Sequence, residues 1–202
     1  MSIRAVFIDF GGVIVRTEDK GPRTRQAERL GMTSHDLEKI FFESDSSLRA
    51  STGKILEEAH WQAVARVLGV SRQEADKIKD EFFSGDRADA ALLDFLRSLR
   101  PERKVGLISN AWSGLRTFIA GQKFEDVFDE MIISAEVGVM KPDPRIYRLA
   151  LKKLGIQPEE SVFLDDTLVN VEAARSVGMN AIQFTQPEKA LEELKQLLNK
   201  HR

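Results

Sequence analysis

The 202-residue sequence contains no cysteine. That absence excludes disulfides, thiolate metal sites and a cysteine nucleophile together. No apolar run is long enough to cross a bilayer, so no membrane partner is expected. An excess of one charge is missing too. Thirty Lys and Arg stand against 32 Asp and Glu, and the net charge of -2 gives no electrostatic reason to expect nucleic acid. The N-terminus lacks the charged lead-in, apolar stretch and small-residue site of a signal peptide, so the expected compartment is cytoplasmic. What remains is ordinary for a folded chain. A hydrophobic share of 42% and a charged share of 31% argue against disorder, and the length suits one large domain or one domain with an insert.

Five short apolar runs end in polar or glycine-rich segments: Ile3 to Ile8, Val105 to Ile108, Met131 to Ile133, Val162 to Leu164, and Ala181 to Phe184. Continuous rather than alternating apolarity predicts strands covered on both faces, as in a parallel sheet. Helical patterns lie between the later runs, over residues 88–98, 144–154 and 168–177, the last ending at Gly178. Strand alternating with helix predicts an α/β fold with a doubly wound, Rossmann-like parallel sheet. Residues 16–86 break that rhythm. They contain no convincing strand and predict successive helices: Pro22 to Leu30 before Gly31, one from Ser34, one carrying Leu56, Ala59, Ala63 and Val67 before Gly69, and one opening with a capping box at Ser71 and Glu74. The expected organisation is an α/β core of residues 1–15 and 87–202, with an inserted α-helical cap over 16–86.

Ligands of open parallel sheets bind beyond the carboxyl ends of the strands. The polar residues there are Asp9, followed by Phe10-Gly11-Gly12, then Ser109-Asn110, then Lys141-Pro142, then Asp165-Asp166 with Asn170 a helical turn on. Each alone has an ordinary structural reading: a strand-end Asp caps or turns, a Ser-Asn pair caps, a Lys-Pro loop is solvated, and a double Asp favours a helix dipole. Together, in this order on one edge, they make that reading poor. Gly106-Leu107-Ile108-Ser109-Asn110 does not fit a nucleophile elbow, and Gly11-Gly12 does not fit a dinucleotide fingerprint. His35, His60 and His201 lie far from these segments and are expected at the surface. Trp112 is placed equally well in a substrate pocket or against the cap. Phe41 and Phe42 are expected to pack in the cap core rather than to contact substrate with Arg49.

The order Asp9, Ser109-Asn110, Lys141-Pro142, Asp165-Asp166 and Asn170 resembles the four signature motifs of the haloacid dehalogenase-like superfamily. The resemblance extends over essentially the whole chain. Phe163-Leu164-Asp165-Asp166 and Glu136-Val137-Gly138-Val139 before Lys141-Pro142-Asp143 are particularly close to family form. With Gly11, the first motif is similar to that of the phosphatase domains of epoxide hydrolases and of bacterial sugar-phosphate phosphatases.

The resemblance implies a hydrolase, and its roles transfer residue by residue. Asp9 would be the nucleophile, forming an aspartyl-phosphate that water hydrolyses. Ser109 would donate to a phosphate oxygen, with further donors near Asn110. Lys141 would neutralise Asp9 against the phosphate. Mg²⁺ would be held by Asp9, the backbone carbonyl of Gly11 and Asp166. Asp165 and Asn170 would orient those ligands from behind. The expected substrate is a small phosphorylated metabolite, handled by a monomer or homodimer.

One departure stands out. Most phosphatases of the superfamily carry a second Asp where this chain has Gly11. Glycine keeps the carbonyl for the metal but lacks the side chain that serves as general acid and base, a loss of ~10²–10⁴ in rate unless another group substitutes. Two other readings therefore remain: a metal-free 2-haloacid dehalogenase, in which Asp9 displaces halide, and a non-catalytic or regulatory protein that keeps the fold.

Overall fold

Side chains alternate across a strand, and here both sets are buried. In the computed structural model, which describes residues 2–199, Val6 and Ile8 of β1 (Ala5–Ile8) join one apolar cluster while Ala5 and Phe7 join another on the opposite face. This is why the apolar runs are continuous in sequence. β2 (Val15–Thr17) is followed by α1 (Gly21–Arg29), α2 (Ser34–Phe42), α3 (Asp45–Ser51), α4 (Glu57–Leu68) and α5 (Arg72–Phe83). Then come β3 (Asp86–Ala88), α6 (Ala90–Ser98), β4 (Lys104–Ser109), α7 (Leu115–Gly121), β5 (Glu130–Ile133), α8 (Ser134–Val137) and α9 (Pro144–Leu154). β6 (Ser161–Asp165), α10 (Leu168–Ser176), β7 (Asn180–Gln183) and α11 (Pro187–Asn199) complete the chain's described elements.

Five strands form a parallel sheet in the order β5-β4-β1-β6-β7, the α/β architecture expected from the sequence. β1 is central, and the chain winds outward from it first through β4 and β5, then through β6 and β7. The two directions part at β1, and ligands of such sheets bind beyond the strand ends at that kind of switch point. One face is packed by α6, α7 and α11, the other by α9 and α10. Gly106 in β4 lies under the Phe7 ring, and a Cβ there would sit 2.6 Å from it, so the sheet accepts only glycine at that point.

Helices α1, α2, α4 and α5 gather around a third apolar cluster of Ala27, Leu37, Phe41, Trp61, Val64, Ile78 and Phe82, and α3 packs against α4. The sequence's helix stops hold: Gly31 and Gly69 both take left-handed backbone at φ 68° and 67°. Three expectations fail. Residues 16–86 are not free of strand at their borders, because β2 and β3 pair antiparallel as a short ribbon where the chain leaves and re-enters the sheet domain. Arg16, Asp86 and Arg87 give that ribbon no apolar alternation to betray it. The buried stripe of α4 is not Leu56, Ala59, Ala63 and Val67; Leu56 and Val67 are 72% and 65% exposed. It runs through His60, Trp61, Val64 and Ala65, since the indole is the largest apolar surface on the helix and sets which face turns inward. At α5 only half of the capping box forms. Ser71 accepts from the Glu74 amide, but the Glu74 carboxylate pairs with Arg29 of α1 instead of reaching back. No helix among the described residues is long and apolar enough to cross a membrane.

Phe41 is fully buried, with Trp61 and Phe82 ring centroids 5.0 and 4.7 Å away. Phe41→Ala should lower the unfolding free energy by about 3–5 kcal/mol, the usual cost of an aromatic cavity. Urea denaturation checks this, and a loss below about 1 kcal/mol would show that the helices hold without an aromatic centre.

Candidate active site

Parallel pairing with β1 in the middle brings the ends of three strands side by side. Asp9 follows β1 directly, its amide donating to the Leu164 carbonyl of β6. Ser109 ends β4 on one side, and Asp165 ends β6 on the other. Lys141 reaches in from the loop between α8 and α9. Its Nζ donates to Asp9 Oδ1 at 2.7 Å and to Asp165 Oδ2 at 2.6 Å, with only 2% of the lysine exposed. Asn110 holds the backbone that carries this lysine: the Lys141 amide donates to Asn110 Oδ1 at 2.7 Å, and Asn110 Nδ2 donates to the Lys141 carbonyl at 2.8 Å.

Asp165 is completely buried and fully engaged. Besides Lys141, it accepts from the Thr167 amide at 2.8 Å and from Asn170 Nδ2 at 3.1 and 3.2 Å. Asn170 is fixed in turn by α10, and its carbonyl accepts from the buried Tyr147 hydroxyl. Asp166 points the other way, toward Gly12. A Cβ at Gly12 would collide with the Asp166 carboxylate, and φ there is +77°, so glycine is required twice over. Gly11 is different: a Cβ there would meet nothing within 4 Å, and its φ is not in the left-handed range.

Three carboxylates thus offer oxygens within 4.8 Å of one another, with Lys141 the cation bonded to two of them. The excess negative charge shows in their ionisation. Burial pushes the Asp9 carboxyl up to about 7, and the Asp165 charge adds to the rise against the pull of Lys141 and the Phe10 amide. Burial also raises Asp166, again with help from Asp165. Lys141 and the Phe10 amide, each at 2.7 Å, both donate hydrogen bonds to Asp9 Oδ1. Its Oδ2 accepts none among the described residues. A hard divalent cation such as Mg²⁺, which takes oxygen ligands, fits this donor set and would relieve the repulsion.

The residues singled out in the sequence fall in two groups. Asp9, Gly11, Ser109, Asn110, Lys141, Asp165, Asp166 and Asn170 lie on the same sheet edge. Trp112 instead packs on the helical bundle, its Nε1 donating to Ser47 Oγ at 3.3 Å. Phe41 is buried in the bundle as expected, whereas Phe42 is 40% exposed and stacks on Trp112, and Arg49 is exposed. His35 is exposed, and His201 lies outside the described residues. His60 contradicts its expected surface place. It is fully buried, with its ring 4.7 Å from Trp112 and Nδ1 2.9 Å from Ser46 Oγ, because it neighbours Trp61 on the inward face of α4. Reading that helix from Trp61 would have found it. Glu57 and Gly12 were also passed over. The adjacent glycines gave a signal for Gly12; nothing local in the sequence singles out Glu57.

Residues 3–178 match a family model described as haloacid dehalogenase-like hydrolase. D-ribitol-5-phosphate phosphatase of Bacteroides thetaiotaomicron is 26% identical over 208 residues, covering 98% of this chain and 99% of that protein. Bifunctional epoxide hydrolase 2 of Rattus norvegicus is 28% identical over 216 residues, covering 98% of this chain and 39% of that protein. Several curated relatives are much longer, and the chain spans between 19% and 39% of their length. A family enzyme of Bacteroides thetaiotaomicron, solved in complex with magnesium and inorganic phosphate, has a TM-score of 0.75 at 24% identity over 90% of this chain and 94% of that one. At that identity the likeness is one of fold.

A cation that binds Asp9 must displace its proton, which is held up to about pH 7. Mg²⁺ affinity should therefore weaken as pH falls through about 7, with protons released on binding near that pH. Calorimetry in buffers of differing ionisation heat reads both. Affinity independent of pH across this range would remove Asp9 from the ligand set.

Proposed function

The chain belongs to the haloacid dehalogenase-like hydrolase family, and on that premise we propose that it is a Mg²⁺-dependent phosphatase of a small phosphorylated metabolite. The observation that carries this reading is the charge balance of the site: one buried lysine ties Asp9 to Asp165, while Asp166 stands beside them with no ion pair of its own among the described residues. Asp166, raised by burial and by the Asp165 charge, would be relieved by a metal, and this favours the phosphatase over a metal-free dehalogenase. The relation to a D-ribitol-5-phosphate phosphatase over the full length of both chains supports the same chemistry.

Asp9, Asp166 and the Gly11 carbonyl are the groups assigned to Mg²⁺. When bound, the ion neutralises phosphate charge and orients the ester against Asp9. Asp9 Oδ2, free of hydrogen bonds from the protein, attacks phosphorus; the P–O bond to the leaving group breaks and its electron pair departs on that oxygen. Lys141 favours the ionised form of Asp9 against the effect of burial and aims it by holding Oδ1, so that one oxygen is fixed while the other reacts. Ser109 is buried at the end of β4, and its hydroxyl has no hydrogen bond to the protein among the described residues, so it is available to a phosphate oxygen. Asp165 and Asn170 hold the lysine from behind. Water then cleaves the acyl phosphate and restores the carboxylate. Helices α1 to α5 act as the cap over this edge.

Two experiments test the reading. Phosphate release from a panel of phosphorylated metabolites should require Mg²⁺ and cease with chelator. Asp9→Asn should abolish it while the circular dichroism spectrum persists, because an amide is nearly the same size but a poor nucleophile. Halide release that resists chelation, with no phosphate freed from any ester, would favour dehalogenation instead.

The second concerns the leaving group. Asp9, Asp165, Asp166 and Lys141 are all committed, and Gly11 supplies no acid. Leaving oxygens that tolerate charge should therefore react faster, so single-turnover rates over a series of aryl phosphates should fall steeply as leaving-group pKa rises. Because the space above Gly11 is open and its backbone unstrained, Gly11→Asp should fold and flatten that slope. A slope already flat in the unaltered protein would mean that another group donates the proton.

A further inference from the structure

The loop of residues 110–114 leaves β4 and touches both halves of the molecule within five residues. Asn110 brackets the Lys141 backbone with two hydrogen bonds. Ala111 is tied at both its amide and its carbonyl to Ser134 Oγ, and its carbonyl also accepts from the Ala135 amide. Trp112 then crosses to the helical side. It stacks on Phe42 at 5.8 Å with the rings 11° apart, meets His60 at 4.7 Å and Trp61 at 5.3 Å, and donates to Ser47. Finally, the Gly114 amide, free at the start of α7, donates to Glu57 Oε2 at 2.9 Å. Glu57 is the first residue of α4, and its other oxygen accepts from Trp61 Nε1 at 3.1 Å. One carboxylate thus caps a sheet-domain helix while holding the central indole of the helical bundle.

We propose that Glu57 is a positioning residue whose grip on Gly114 and Trp61 seats the 110–114 loop and, through Asn110, sets the placement of Lys141 between Asp9 and Asp165. It touches neither reacting atoms nor metal ligands. Its effect runs along a short chain of contacts: Glu57 to the Gly114 amide, the loop to Asn110, and Asn110 to both backbone groups of Lys141. Any shift of α4 relative to the sheet is therefore felt at the lysine, so the seating of the helices and the readiness of Asp9 are linked. The catalytic part of this inference rests on the phosphatase reading; the structural link does not.

Two substitutions break the same contact by different means. Glu57→Gln keeps the acceptor for Trp61 but can turn an amide N–H toward the Gly114 N–H, which then goes unpaired. Gly114→Ala places a Cβ against the Glu57 carboxylate, the mobile end of a flexible side chain, and φ of -77° at Gly114 suits alanine, so the carboxylate is displaced without strain elsewhere. Glu58→Gln serves as control, since Glu58 pairs with Arg72 on the exposed surface of the bundle, away from the 110–114 loop.

Amide exchange followed by NMR, which needs no turnover, should show faster exchange at the position-114 amide and at Lys141 in both test variants and in neither strand β1 nor β6. Glu58→Gln should leave Lys141 unchanged. With p-nitrophenyl phosphate and Mg²⁺, each test variant should lose about tenfold in kcat with KM little changed, as expected for a small misplacement of a catalytic group. The double variant should lose no more than either single one. Faster exchange at position 114 with Lys141 unaffected would overturn the proposal, as would kcat equal to that of the unaltered protein. If the unaltered protein hydrolyses no phosphate ester under any condition, the phosphatase reading fails and the exchange at Lys141 alone decides the link.

Discussion

A single ammonium group organises the strand ends. Lys141 lies between Asp9 and Asp165, at 2.7 and 2.6 Å, where almost no water reaches. Burying charges is costly unless they are paired and hydrogen-bonded, so this triad persists only because every partner is supplied. Asn110 fixes the lysine backbone, while Thr167 and Asn170 saturate Asp165. The balance is still incomplete. Two carboxylates share one ammonium and Asp166 adds a third acid beside them, while burial, with help from the Asp165 charge, raises the Asp9 carboxyl to about 7. A hard cation would relieve this crowding of acids.

The adjacent glycines of the first loop serve different ends. Gly12 is imposed by space and backbone: its φ is left-handed and the Asp166 carboxylate occupies the place of a side chain. Gly11 is imposed by neither. The fold leaves room for a side chain there.

Several contacts join the helical bundle to the sheet domain besides the Glu57–Gly114 hydrogen bond. The β2–β3 ribbon carries the chain across, pinned by Arg16 to Asp89 at 2.7 Å and by Arg23 to Asp86 at 2.9 Å. On the other side, Trp112 of the sheet domain is packed into the bundle's own aromatic cluster. An indole shared across a boundary buries area on both sides at little entropic cost, so the loop that bears it is fixed by the bundle as firmly as by the strand it follows.

The sequence alone determined the parallel α/β sheet, because strands buried on both faces must be apolar throughout and their ends must carry the polar chemistry. It also determined which residues collect at those ends, since Asp9, Ser109 and Asp165 terminate apolar runs that only a parallel sheet aligns. The positions of Gly31 and Gly69 were legible as helix stops for a local reason, the freedom of glycine at positive φ. Other features were decided by tertiary contact. The inward face of α4 followed Trp61, whose partners Phe41 and Trp112 come from separate parts of the chain, so His60 was buried against expectation. Glu74 gave up its local cap for Arg29 of another helix. The role of Glu57 as cap to a helix nearly sixty residues away has no local trace, because the amide it satisfies and the indole it holds meet only when the bundle is seated on the sheet.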